Sequence, residues 1–245
     1  MAWNMENKKS WFNLSSIDII PKLSIRIPNV GEILENEFNY YSIVSTLTAT
    51  PFQYMVQLDD MGIDYTKLTD YDLFKILFPI YSKTDLSILF GDLDTSDFDI
   101  CIDKQDENKE MIYSPKNDIA IDELIYNDLA DSIRKINLFE KVKSKPGNES
   151  ARKYLLEKER RKQKRNANKE KTSYLEKLVI ALVNTKEFAY DYDTCMNLSI
   201  YKFNQSLKQI QHKIAFDNMM IGVYAGTVDT SKLNNKDCLT WLQQK

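Results

Sequence analysis

Ten of the twenty-two side chains from Ser150 to Lys171, SARKYLLEKERRKQKRNANKEK, are Lys or Arg, and three are Glu. The run carries +7 in a chain of net charge −3, so the remainder sums to −10. A single-sign block without Gly or Pro is a solvated helix or a mobile connector, and it splits the chain into two unlike halves. Its cations, among them Arg160, Arg161, Lys164 and Arg165, are candidates for contact with an acidic protein surface or with nucleic acid.

The 245 residues suffice for one large or two modest cores, and the composition shift at the basic run favours two. Apolar residues make up 43% and aromatics 11%, which excludes a disordered chain. Six Gly and six Pro are too few for the turns of an all-β sandwich and favour helices. The expected fold is α+β and predominantly helical. An N-terminal arm covers 1–20, an α+β domain with a short antiparallel hairpin covers 21–145, a basic linker or helix covers 146–172, and an all-α domain covers 173–245. Cys101, Cys195 and Cys238 stand far apart without C-x-x-C spacing, as free thiols do in a reducing compartment. The chain opens without a secretory apolar stretch, and no window reaches the length of a membrane span. A soluble protein of the cytoplasm with no membrane partner is expected.

Along the first half, Met1 to Ser16 reads as a polar arm whose Trp3 and Trp11 order only by docking. Leu23, Ile25 and Ile27 alternate between Pro21 and Pro28 as a short edge strand. Ile33, Leu34, Phe38, Tyr41 and Val44 predict one helix from Gly31 to Pro51, followed by another over Pro51 to Met61. Asp70 is the expected cap of a third, which Pro79 perturbs, and Thr84 to Phe90 forms a fourth closed by Gly91. The period then changes: Phe98, Ile100 and Ile102 face one way and pair as a hairpin with Met111 to Tyr113. A helix capped near Asp122 turns Leu124, Ile125, Leu129 and Ile133 inward. KSKPGNES, 143–150, lacks apolar residues and reads as the domain boundary.

In the second half, Leu175, Leu178, Val179 and Leu182 mark an amphipathic helix ending near Asn184. Ser199 caps a long helix with Ile200, Phe203, Leu207, Ile210 and Ile214 at spacings of three and four. Two heptads are too few for an extended coiled coil, so the stripe reads as the packing face of a small bundle. Gly222 and Gly226 end the helix. Phe216, Met219, Met220 and Tyr224 are the candidate partner-binding surface, because Met adapts to irregular pockets and Tyr supplies area with little entropy lost. The competing expectation is that Leu239 and Trp241 fold back over them.

Catalytic signals are absent from the pattern. His212 is the only histidine, which excludes zinc sites of ordinary spacing and leaves a Ser or Cys nucleophile without a recognisable base. Asp92, Asp94 and Asp103 match positions one, three and twelve of a calcium loop, but Asp97 stands where the sharp turn needs Gly and Asp99 where an apolar residue is usual. There is no G-x-G-x-x-G and no phosphate loop. No catalytic, cofactor or metal residues are expected. The basic run lacks interleaved aromatics and base-reading residues, which disfavours nucleic acid.

IPNVGEIL, ATPFQYMVQLDDMGID, LVNTKEFAYDYDT and LSIYKFNQSLKQIQHKIAFDNMMIGVYAGTVDTSKLNNKDCLTWL resemble tail-module proteins of tailed bacteriophages of AT-rich Gram-positive bacteria, and among them the tail assembly chaperones. The resemblance implies a non-enzymatic protein of the host cytoplasm that binds tape measure and tail tube proteins, and a homo-oligomer is a further possibility. A structural subunit of the tail or baseplate, retained in the virion, is the alternative within this resemblance. A nucleic-acid-binding protein using the basic run is the alternative outside it.

Overall fold

The computed structural model describes residues 10–102, 110–170, 172–233 and 236–242. Its architecture is α+β and predominantly helical, with two small antiparallel sheets. The first is a hairpin of β1 (Ser16–Ile20) and β2 (Leu23–Arg26). Pro21 lies in its turn, where a missing N–H costs no ladder bond, and Lys22 takes the left-handed conformation with φ 73°. Residues 16–20 of the expected arm are thus a strand, because Ile17 and Ile25 pair across the hairpin and both contribute to the core. Trp11 docks on this chain: its ring lies 5.8 Å from that of Tyr201, and Lys135 Nζ sits 3.8 Å from its centroid. Trp3 lies outside the described residues.

The helix expected from Gly31 is two helices, α1 (Val30–Glu35) and α2 (Glu37–Leu47), broken at Asn36. The break resets the helical phase. Tyr40, Ile43, Val44 and Leu47 therefore turn inward, while Phe38, expected there, is exposed. Residues 51–54 form turns, pinned where Gln53 Oε1 accepts the Thr50 N–H at 2.9 Å, so α3 (Met55–Asp60) starts late. Thr69, not Asp70, caps α4 (Asp70–Tyr81): its hydroxyl accepts from Asp72 N while the Asp72 carboxylate accepts from Thr69 N. Pro79 sits inside α4 without ending it. The short α5 (Ser87–Phe90) closes on Gly91 at φ 63°.

The second sheet has the order β3-β4-β5, with β3 (Asp99–Ile102), β4 (Glu110–Ser114) and β5 (Ile119–Ile121). Ile112 and Ile121 are fully buried and paired. Ile100 pairs with Ile112, but β3 is the edge strand of the sheet. Ile100 and Ile102 are therefore exposed, and only Phe98 of the predicted inward set is buried. Asp122 Oδ1 accepts from Ile125 N at 2.9 Å and caps α6 (Glu123–Asn137), the central helix, which ends on left-handed Leu138. It buries Tyr126, Leu129, Ala130, Ile133 and Ile136. Leu124, in its first turn, points to solvent.

After 143–150 come α7 (Glu149–Asn166), α8 (Leu175–Val183), α9 (Tyr192–Met196) and α10 (Ile200–Tyr224). The main core runs across that boundary: Leu175, Val179, Leu182, Ile200 and Phe203 join Leu23, Ile33, Tyr40 and Ile133 in one cluster. Short amphipathic helices bury one stripe each and need a partner surface to close a core. Here the first half supplies it. Val30 N donates to Leu198 O and Ile200 N to Pro28 O, at 2.9 and 2.8 Å. The buried Glu37 carboxylate accepts the Tyr174 and Leu175 N–H groups at 2.9 and 3.0 Å, together with the Ser173 hydroxyl. A residue of α2 thus satisfies the open N-terminus of α8.

Candidate functional site

The long helix α10 has two fates along one stripe. Ser199 caps it, and Ile200, Phe203 and Ile210 are buried against α6 and the main core. The 25 residues span about 37 Å at 1.5 Å each, more than this body covers. Beyond Ile210 the same alternation of three and four continues through Ile214, Asp217, Ile221 and Tyr224. Among these Ile214 is 43%, Ile221 66% and Tyr224 83% exposed. The sequence pattern stopped at Ile214 because Asp217 interrupts the apolar series, although the spacing runs on to Tyr224.

The chain then turns back. Gly226, at φ 69°, permits the N–H groups of Thr227 and Val228 to converge on Gly222 O at 3.0 and 3.1 Å. A Cβ at Gly222 would stand 2.7 Å from Val228 Cγ2, so the close return requires Gly there. Farther back, Gln209 Nε2 donates to Trp241 O at 2.7 Å, and His212 Nε2 lies 2.7 Å from Thr240 O. Phe216 and Met219 follow His212 by four and seven residues and share its face. They and Met220 are half-buried. Of the four predicted apolar contacts only Tyr224 stands fully in solvent, and the stripe's other exposed members, Ile214 and Ile221, lie on the side away from the return.

At the inner end of the stripe is a groove of about 780 Å³ between α2, α6, α8 and α10. Tyr41, Phe139, Tyr174, Leu178 and Leu207 give it apolar walls, and its charged lining, Arg134, Lys135, Lys208 and Glu140, is net positive. Leu207 belongs to both features, being a groove residue one heptad before Ile214. Beside the stripe, Lys213 Nζ pairs with Asp217 Oδ2 at 2.6 Å and approaches Glu187 Oε1 at 3.9 Å. The hydrogen bond to Asp217 raises the Lys213 pKa, with both carboxylates adding to it.

The basic run is helical and anchored rather than free. On α7, Leu156 is buried and Leu155 packs beside it in a small second cluster with Met55, Leu58, Tyr65 and Leu73. Arg160 Nη2 reaches Asp60 Oδ1 at 2.6 Å and Asp59 Oδ2 at 2.8 Å, bonds that raise its pKa. Arg152 Nη2 reaches Asp59 at 3.5 Å. Arg161 pairs with Glu157 on the same helix at 2.9 Å. Lys164 and Arg165 are exposed and form no ion pair among the described residues. The predicted site residues thus fall into two groups on different elements: α7 leans on α3, and α10 on α6.

The carboxylates of the calcium-like loop are used locally. Asp97 accepts from Ser114 Oγ and Lys116 N at 2.7 and 2.8 Å. Asp94 accepts from Ser96 N at 3.0 Å and from Lys116, whose hydrogen bond is the main reason its carboxyl is held well below the usual range. Asp103 lies outside the described residues. Among those described, no group of three or more His, Cys, Asp or Glu is placed to hold a metal ion. Burial raises the pKa of the Cys195 thiol. No described helix is long and apolar enough to cross a membrane.

Residues 163–244 match a family model described as the YomV second domain, which covers the end of α7, the helices α8 to α10 and the return. That family is phage-associated and supports a phage protein. No curated protein and no solved structure gives a match.

Proposed function

We propose that the chain is a non-enzymatic phage morphogenesis protein, a tail assembly chaperone that holds segments of tape measure and tail tube proteins in the host cytoplasm. The observation that carries this reading is the exposed stripe Ile214, Ile221 and Tyr224, on a helix that outruns its own core, within the region matched by a phage-associated family. Apolar side chains held outward on a rigid helix suit an amphipathic partner segment, which would lie along the stripe and enter the groove at Leu207. The cations Lys164 and Arg165 on α7 would steer an acidic partner rather than fix it.

The test is a pull-down of the tagged chain from phage-producing cells, alongside mass spectrometry of purified particles. Tape measure or tube protein in the pull-down, and the chain missing from mature particles, is the expected result. Stoichiometric presence in particles would make it a structural subunit of the tail or baseplate instead. Stoichiometric zinc or nucleotide on the purified protein would overturn the non-catalytic reading. Affinity for nucleic acid falling steeply with salt would redirect it to the basic helix.

A further inference from the structure

We infer that α10 also docks a second copy of this chain, antiparallel and two-fold symmetric, with Ile214 on the symmetry axis. The stripe is self-complementary by spacing: Leu207, Ile214 and Ile221 are separated by seven and seven, so an antiparallel partner centred on Ile214 sets Leu207 against the other copy's Ile221 at both ends. A two-fold interface requires this reciprocity. The shapes agree with it as well. Leu207 lies in the groove beside Tyr41, Phe139, Tyr174 and Leu178, whereas Ile221 and Tyr224 stand clear on the protruding end of the helix. A protruding end fits a groove. A parallel partner would bring two grooves face to face and leave both ends bare.

The polar groups fit the same register. Lys213 and Asp217, already paired at 2.6 Å, meet their symmetry mates as a ring of alternating charge rather than as like charges. The C-terminal end of α10, which is the negative end of its macrodipole, enters a groove whose charged lining, Lys135 and Lys208 with Arg134 against the single Glu140, is net positive. The return segment leaves this face open, since it is held by Gln209 and His212 on the other side of the helix. This inference concerns the free protein and does not require the tail partner to exist. If both hold, the second copy covers the stripe until a partner helix displaces it.

Sedimentation equilibrium of the purified full chain, with cysteine cross-linking, tests the inference. The expected mass is twice the 28.7 kDa of one chain, returning to the monomer value in Ile214→Asp, whose thermal melt matches wild type at a dilution where both are monomeric. Ile214→Cys should link to itself on oxidation. Leu207→Cys and Ile221→Cys should link when mixed and neither alone, against the wild-type background of Cys101, Cys195 and Cys238. A monomer at all concentrations overturns the dimer while leaving the pull-down result standing. A dimer that links Leu207→Cys to itself, or that survives Ile214→Asp, overturns the antiparallel stripe.

Discussion

The two halves of α10 carry the same pattern and meet opposite surroundings. Ile200, Phe203 and Ile210 complete a core that the first half of the chain began, while Ile214, Ile221 and Tyr224 continue the spacing into solvent. An apolar heptad stripe states only that a helix has something to cover. What covers it is decided elsewhere: α6 and the turn at Trp11–Asn13 pack on the proximal half, and the C-terminal return takes the other face beyond it. The return needs Gly222 and Gly226 to turn tightly, and its bonds to Gln209 and His212 leave the opposite side of the helix open.

The sharpest way to break this contrast is to truncate one residue from each half. Phe203→Ala removes a fully buried ring and should cost about 3–5 kcal/mol of unfolding free energy. Ile221→Ser should stay within about 0.5 kcal/mol, because its side chain is already hydrated. Urea unfolding of both variants, at a concentration where the chain is monomeric, gives the comparison directly. Similar losses would mean that the distal half is core and that the stripe is no docking surface.

Glu37 tests how the two halves of the chain are joined. Its carboxylate accepts two backbone N–H groups at the start of α8, from a position with no neighbour in sequence. Glu37→Ala leaves them without that acceptor near the core and should cost about 2 kcal/mol. Glu37→Gln, which keeps one acceptor oxygen, should cost less. If the alanine variant melts like wild type, α8 does not depend on α2 for its start.

A smaller effect is expected at the turn. Gly226→Ala must place an L side chain at φ 69°, a strain of about 1 kcal/mol, and the return can release it by lifting off α10. Hydrogen exchange of residues 226–233 and 236–242 should accelerate while the core amides stay protected. Loss of protection throughout α10 would show that the return supports the whole helix.

The sequence made the helical elements legible where pattern and cap coincide, as at Ser199 and Asp122, and where the apolar stripe is clear without a cap, as in Leu175, Leu178, Val179 and Leu182. It misled where a local event reset the phase. The Asn36 break turned Phe38 outward, and the edge position of β3 left Ile100 and Ile102 exposed, neither of which periodicity can report. The placement of Phe216, Met219 and Met220 depended on a return held by backbone carbonyls of Thr240 and Trp241, and carbonyl partners leave no residue signature. Ile221 was within reach of the pattern: carrying the three-four spacing past Asp217 finds it. The anchoring of α7 was half visible, since Leu155 and Leu156 lie within the basic run, but the Asp59 and Asp60 that receive Arg160 are a hundred residues away.

That anchoring supplies the smallest predicted effect and a third kind of helix for the comparison. The proximal half of α10 is held by apolar burial and the distal half by the polar contacts of the return and of Lys213, whereas α7 is held by Leu156 and by ion pairs that water reaches. Exposed pairs are weakened by salt, while a buried leucine is not. Arg160→Ala should therefore leave the global melt unchanged and raise the rate of trypsin cleavage between Lys143 and Lys169, a segment dense in cleavable residues. Added salt should speed cleavage of the wild type toward the variant's rate and leave the variant's own rate nearly constant once the protease is corrected for salt. Leu156→Ser, which removes the apolar anchor, should open α7 at any ionic strength. Equal digestion of wild type and Arg160→Ala at low salt would show that the carboxylates of α3 contribute nothing to holding the basic helix, and that Leu155 and Leu156 suffice.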